Sequence, residues 1–181
     1  MTNENSTISD LAQGTWAIDK AHTSATFSVG HLGIALVRGR FNEVDAQLVI
    51  GASPEEHSVT ATITTSSLDT GNSARDQHVL SEELLDAGKR PTLSYRSTKV
   101  LGDGPSLTVE GELTIGSVTR SVPLTVSLGG VAPFFDGTRH GGFTANAEIR
   151  RSDFELNFGQ ADTMLGQVVK VELDLEFIEP A

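Results

Sequence analysis

Leu107-Thr108-Val109-Glu110-Gly111-Glu112-Leu113-Thr114-Ile115 puts Leu, Val, Leu and Ile on odd positions and only Thr or Glu on even ones. Side chains of a strand alternate between two faces, so this stretch reads as a strand with one dry and one wet face. Residues 169–177 repeat the pattern, with Val169, Val171, Leu173, Leu175 and Phe177 set against Lys170, Glu172, Asp174 and Glu176. Strands of this kind close into an antiparallel sandwich or barrel. A barrel of about eight strands either fills its interior with side chains or holds one apolar ligand.

Outward from these two stretches the alternation continues. Residues 22–30 place Thr23, Ala25, Phe27 and Val29 on one face, and residues 34–50 carry Val44, Ala46, Leu48 and Ile50. Gly39 interrupts this second segment and is expected to bend or bulge it. Strands are also expected at 16–18, 58–66, 92–101, 106–115, 118–128 and 141–150, with Pro123 marking an edge or bulge. The period turns helical at 74–85, where Asn72 or Ser73 supplies a cap and Leu80 and Leu84 share a face. A second short helix is expected within 158–166. The reading is all-β: an extended antiparallel barrel of about eight strands with one or two short helices.

A chain of 181 residues suits one domain with a self-sufficient core. Residues 1–13 are polar and read as a flexible arm, and 14–181 as the barrel domain. The net charge of −11, with no cluster of Lys or Arg, disfavours nucleic acid and anionic membranes as partners. No cysteine is present, which excludes disulfides and thiolate chemistry. No apolar run is long enough for a spanning helix, so stable membrane insertion is not expected. The first ten residues lack the basic start and apolar centre of a secretory signal, and a cytoplasmic location is expected.

Catalytic signatures are missing: there is no Gly-x-Ser-x-Gly elbow, no phosphate-cradling glycine loop and no GxGxxG fingerprint. Glu82, Glu83 and Asp86 near His78 read as a solvated face. His22, His31, His57, His78 and His140 include no i, i+4 pair, and no metal is assigned. His22 is expected to hold an ordered hydrogen bond near the start of the barrel. The small inward residues Ala25, Ala46, Ala61, Ala145 and Ala147 leave interior room. Candidate ligand contacts are Phe27, Val29, Leu48, Ile63, Phe143 and Phe154, with Leu84, Leu85, Met164 and Leu165 at a mouth or lid. Arg75-Asp76 and Arg151-Asp153 read as clamps tying the helix to a late strand. The alternative is a polar headgroup contact, with Asn72, Arg75 and Tyr95 placed to make it.

In order along the chain, several motifs together resemble the YceI-like proteins. They are Trp16-Ala17-Ile18-Asp19 with His22-Thr23-Ser24, Phe27-Ser28-Val29 with His31, and Gly39-Arg40-Phe41. Next come Arg75-Asp76-Gln77-His78-Val79, Gly111-Glu112-Leu113-Thr114-Ile115 leading to Val118-Thr119-Arg120, and Ile149-Arg150-Arg151-Ser152-Asp153-Phe154. The resemblance covers nearly everything after residue 13. It implies a lipocalin-like barrel that carries or stores a long-chain isoprenoid or similar amphiphilic lipid, such as an isoprenoid quinone, a polyprenyl compound or a fatty-acid amide. It implies no cofactor chemistry and a possible homodimer, and with the catalytic signatures missing a noncatalytic carrier is expected. The chain departs from the family pattern at Leu84-Leu85, where paired phenylalanines are common, and at Ser117. Two rival classes are an enzyme acting on a bound lipid and a filled barrel serving as a protein-interaction module.

Overall fold

The computed structural model describes residues 6–181. The described strands are β1 (Gly14–Ile18), β2 (Ser24–His31), β3 (Ala35–Phe41), β4 (Val44–Ile50), β5 (Ser58–Thr64) and β6 (Leu68–Asp69). After the helix α1 (Ser73–Leu80) come β7 (Thr92–Leu101), β8 (Ser106–Ile115), β9 (Val118–Ser121), β10 (Leu124–Pro133), β11 (Arg139–Arg150) and β12 (Leu165–Ile178). Their neighbour order runs β1-β4-β5-β7-β8-β10-β11-β12, and β12 pairs back onto β1, which closes the ring. Above that seam β12 pairs with β2, β2 with β3, and β3 with the short β6.

The twelve strands are therefore the expected eight-stranded barrel with three of its strands interrupted, plus the short β6. β1 and β2 are separated by a 3-10 turn, Lys20–His22, and β3 and β4 by Asn42-Glu43. Gly39 does not bulge: it pairs in regular register with Phe27. A Cβ at Gly39 would overlap the Phe27 ring, so the glycine is there to let that ring lie across the strand. The stretch 118–128 divides at Val122-Pro123, where Pro123 has no N–H to give a ladder. β10 then runs past Gly129 with a register shift between Leu128 and Gly130.

The helix is shorter than its apolar spacing suggests. Asn72 caps it as expected, accepting from the Arg75 N–H at 2.9 Å, but it ends at Leu80. Leu84 and Leu85 follow in a tight turn in which Leu85 N–H donates to Val79 and Asp86 N–H to Ser81. In 158–166 the helical part is a 3-10 turn, Gly159–Thr163, and β12 begins at Leu165. Among the described residues no helix is long and apolar enough to cross a membrane.

Part of the expected arm packs against the barrel. Residues 1–5 lie outside the described residues, but Ile8 and Leu11 are buried in the core. The Trp16 indole N–H donates to the Ala12 carbonyl at 2.9 Å, which ties this segment under the lower end of the barrel. Two apolar clusters result. The lower joins Ile8, Leu11, Trp16, Ile50, Leu128 and Phe177, and the upper joins Leu85, Leu113, Ile115, Phe154 and Leu156.

Candidate functional site

The inward faces of these strands enclose a cavity of about 530 Å³, within the range of pockets that hold one small ligand. Ala25, Ala46, Ala61, Ala145 and Ala147 all line it. Larger side chains at these positions would fill the space, so the room is written into the inward register of the strands.

Most expected contact residues face this cavity. Phe27 and Val29 reach it from β2, Leu48 from β4, Ile63 from β5, and Phe143 from β11. Leu84 and Leu85 enter at the upper end from the turn after α1, and Met164 and Leu165 from the start of β12. Leu84 and Leu85 are buried whereas Met164 is 44% exposed, so Met164 stands on the rim. Two expected contacts lie elsewhere. Asn72 is engaged as the helix cap, and Phe154 is enclosed in the upper cluster.

Tyr95 lines the cavity, but its hydroxyl is committed, donating to the Val122 carbonyl at 3.0 Å. Burial pushes its pKa up to about 12, which keeps it a neutral donor. Arg75 lines the upper end while its Nε and Nη2 donate to the Thr70 hydroxyl and carbonyl at 2.7 and 2.8 Å. Asp76 accepts from the Thr70 N–H and hydroxyl. The Arg75-Asp76 clamp therefore fastens α1 to the turn after β6, not to a late strand. Local sequence explains this, since Thr70 lies just before the cap.

The second clamp also has different partners. Arg151, 3% exposed, donates from Nη1 to the Leu156 carbonyl at 2.9 Å and to Asp162 Oδ1 at 2.8 Å. Its Nε donates to the Gly166 carbonyl, and its guanidinium covers the Phe158 ring at 4.5 Å. Asp162, not Asp153, is the carboxylate it meets, and Arg151 holds that carboxyl below its ordinary value. The knot fixes residues 151–166 as the upper wall.

Several residues beyond the expected contacts line the cavity. Val171, Leu173, Leu175 and Phe177 form a continuous wall on β12, and their period-two pattern was the available signal. His31, His57 and His78 stand at the cavity ends. His57 Nδ1 accepts from the Gly51 N–H at 3.1 Å, and His78 Nε2 lies 3.0 Å from Glu83. His22 makes the expected ordered contact, its Nδ1 2.9 Å from Asp19 Oδ2, away from His31. That contact raises the His22 pKa and lowers that of Asp19.

Against known proteins, the pattern of the YceI-like domain matches residues 16–177. A UPF0312 protein of Enterobacter sp. (strain 638) is 34% identical over 162 residues, covering 87% of this chain and 84% of that one. The crystal structure of the Campylobacter jejuni YCEI protein superimposes with a TM-score of 0.73 at 28% identity, covering 82% and 88% of the two chains. A polyisoprenoid binding domain from Saccharophagus degradans shares the fold, with a TM-score of 0.69 at 15% identity over 91% and 98% of the chains.

Proposed function

This chain belongs to the YceI-like family, and on that premise we propose that it binds one long-chain amphiphilic lipid inside the barrel and carries or stores it unchanged. An isoprenoid quinone or another polyprenyl compound is the ligand class favoured, with a fatty-acid amide as the third member. The observation that carries this reading is the cavity of about 530 Å³, apolar along the walls of β2, β5, β11 and β12. The polyisoprenoid-binding description of the Saccharophagus degradans domain points the same way.

Burial of the tail supplies the affinity, at roughly 25 cal/mol for each Å² of apolar surface removed from water. Ordering a flexible tail opposes it, so the net gain per isoprene unit is smaller than the area alone gives. Arg75 and His78, at the upper end, are the polar side chains on α1 positioned to orient a headgroup. Carriage is favoured over turnover because Tyr95 and Arg151 spend their donors on protein carbonyls and the Asp162 carboxylate. Pairing as a homodimer belongs to the same reading and is checked by sedimentation.

A series of quinones with one headgroup and lengthening isoprenoid tails tests the proposal. Affinity is expected to rise with each added unit and then level off when the tail outgrows the barrel. Equal affinity for all tail lengths, or recovery of a chemically altered lipid, would overturn it.

A further inference from the structure

On the outer side of the barrel, where β12 closes onto β1, four side chains converge from distant parts of the chain. Asp19 and His22 flank the turn between β1 and β2, His140 lies at the start of β11, and Glu176 lies near the end of β12. His22 Nδ1 is 2.9 Å from Asp19 Oδ2 and 3.8 Å from Glu176 Oε1. His140 Nδ1 is 2.6 Å from the same Glu176 oxygen and 3.6 Å from the same Asp19 oxygen. The atoms thus form a ring in which nitrogen and oxygen alternate. Around a tetrahedral zinc ion with bonds of about 2.0–2.1 Å, neighbouring ligand atoms sit roughly 3.3–3.4 Å apart. The ligand atoms of Asp19, His22 and Glu176 all lie within 4.8 Å of one another, so these three can converge on one ion, and His140 approaches it from the side of the two carboxylates.

The supporting contacts orient His140 for ligation. Its side chain is 8% exposed and its ring stacks on Phe134 at 4.6 Å, while Phe134 meets His22 edge-on at 5.9 Å. The Thr138 hydroxyl donates to Asp136 Oδ1 at 2.6 Å, so at 2.9 Å from His140 Nε2 it acts as the acceptor. Nε2 therefore carries a hydrogen, and Nδ1 faces the cluster. A hydrogen bond on the distal nitrogen is the usual way a protein fixes the tautomer of a metal-binding histidine.

We propose that Asp19, His22, His140 and Glu176 form a binding site for a divalent transition-metal cation of the zinc type, separate from the lipid cavity. Two imidazoles and two carboxylates suit such a cation better than magnesium or calcium, which favour all-oxygen sites. Two carboxylates balance its charge, and the acidic surface concentrates cations near it. The His22 side chain, 49% exposed, leaves a path for entry. A bound ion would join the β1–β2 turn to β11 and β12 and so fasten the closing seam. The ligands spread from residue 19 to residue 176, which is why spacing along the chain conceals them.

The test is calorimetric titration of the chelator-stripped full chain with zinc chloride at neutral pH. One ion should bind per chain with micromolar or tighter affinity, with heat that depends on the buffer because protons are released. The melting temperature should rise with zinc. His22→Ala and Asp19→Asn should each weaken binding roughly tenfold or more while keeping the native circular dichroism spectrum, and His78→Ala should leave it unchanged. No heat and no melting shift at millimolar zinc would overturn the proposal. So would affinity that survives both His22→Ala and Asp19→Asn, or that disappears in His78→Ala.

Discussion

The Tyr95 hydroxyl crosses above Gly111 on the neighbouring strand to donate to the Val122 carbonyl at 3.0 Å. The absent side chain at Gly111 makes room for that ring, and the bond satisfies a carbonyl next to Pro123, where pairing with β8 is interrupted between β9 and β10. A polar atom inside an apolar barrel is thereby neutralised without reaching the ligand space.

From this relationship, Gly111→Ala should destabilise the fold by about 1–3 kcal/mol, because the Tyr95 ring and the Arg96 carbonyl must both shift. Tyr95→Phe should cost only about 1 kcal/mol and leave lipid uptake intact. Urea denaturation with a parallel uptake assay separates the two. Lost uptake in folded Tyr95→Phe would show the hydroxyl serving the ligand instead.

Filling the barrel should shorten the ligands it accepts. Ala61→Leu and Ala147→Leu each add bulk at a cavity-lining position on different strands. Both should fold and retain short-tailed quinones while losing the longest ones by tenfold or more. Unchanged selectivity for tail length in both variants would place the ligand elsewhere.

The Arg151 knot predicts a localised loss. Arg151→Ala strands the Leu156 and Gly166 carbonyls and should destabilise the chain by about 3 kcal/mol. Hydrogen exchange should quicken first in residues 151–166. Uniform quickening across the barrel would show that the knot does not act as a local brace.

The Asp19–His22 pair sets a pH window. The His22 pKa is raised in the fold, so its stabilisation is full below the unfolded value of about 6.5 and fades as pH rises through the folded value. The Asp19 pKa is lowered, so its share is present above about 3.9 and is lost as pH falls through its folded value. Metal-free protein should therefore gain most from the pair between about pH 4 and 6.5. The melting-temperature difference between wild type and His22→Ala should peak there, and a difference that grows toward pH 9 would contradict this assignment.

At the lower end, Ile8→Ala should cost about 2 kcal/mol, since Ile8 is 5% exposed and touches both core and cavity. An effect near zero would return residues 6–13 to the status of a free arm.

The strand pattern was legible in the sequence because each wall strand is dry on one face only, as in Leu107 to Ile115 and Val169 to Phe177. The alanines were legible for the same reason: once the inward register is known, small residues on it mean space. Other features depend on contacts that periodicity cannot express. Ile8 and Leu11 are isolated apolar residues in a polar stretch, and only the folded lower cluster around Trp16 gives them partners. Arg151 has Asp153 two residues away but meets Asp162 because the loop folds back beneath Phe158. By sequence Asn72 suits both a cap and a headgroup contact, and the cap takes its side-chain oxygen. Gly39 looked like a bulge because glycine in a strand allows either a bend or a close approach, and the Phe27 ring decides between them.

A long-tailed lipid in the cavity would be seen in native mass spectrometry of the purified chain followed by organic extraction. A stoichiometric polyprenyl or quinone species, or uptake of one added to empty protein, is the predicted result. Protein that arrives empty and refuses every isoprenoid quinone offered would contradict lipid carriage and favour a protein-interaction module.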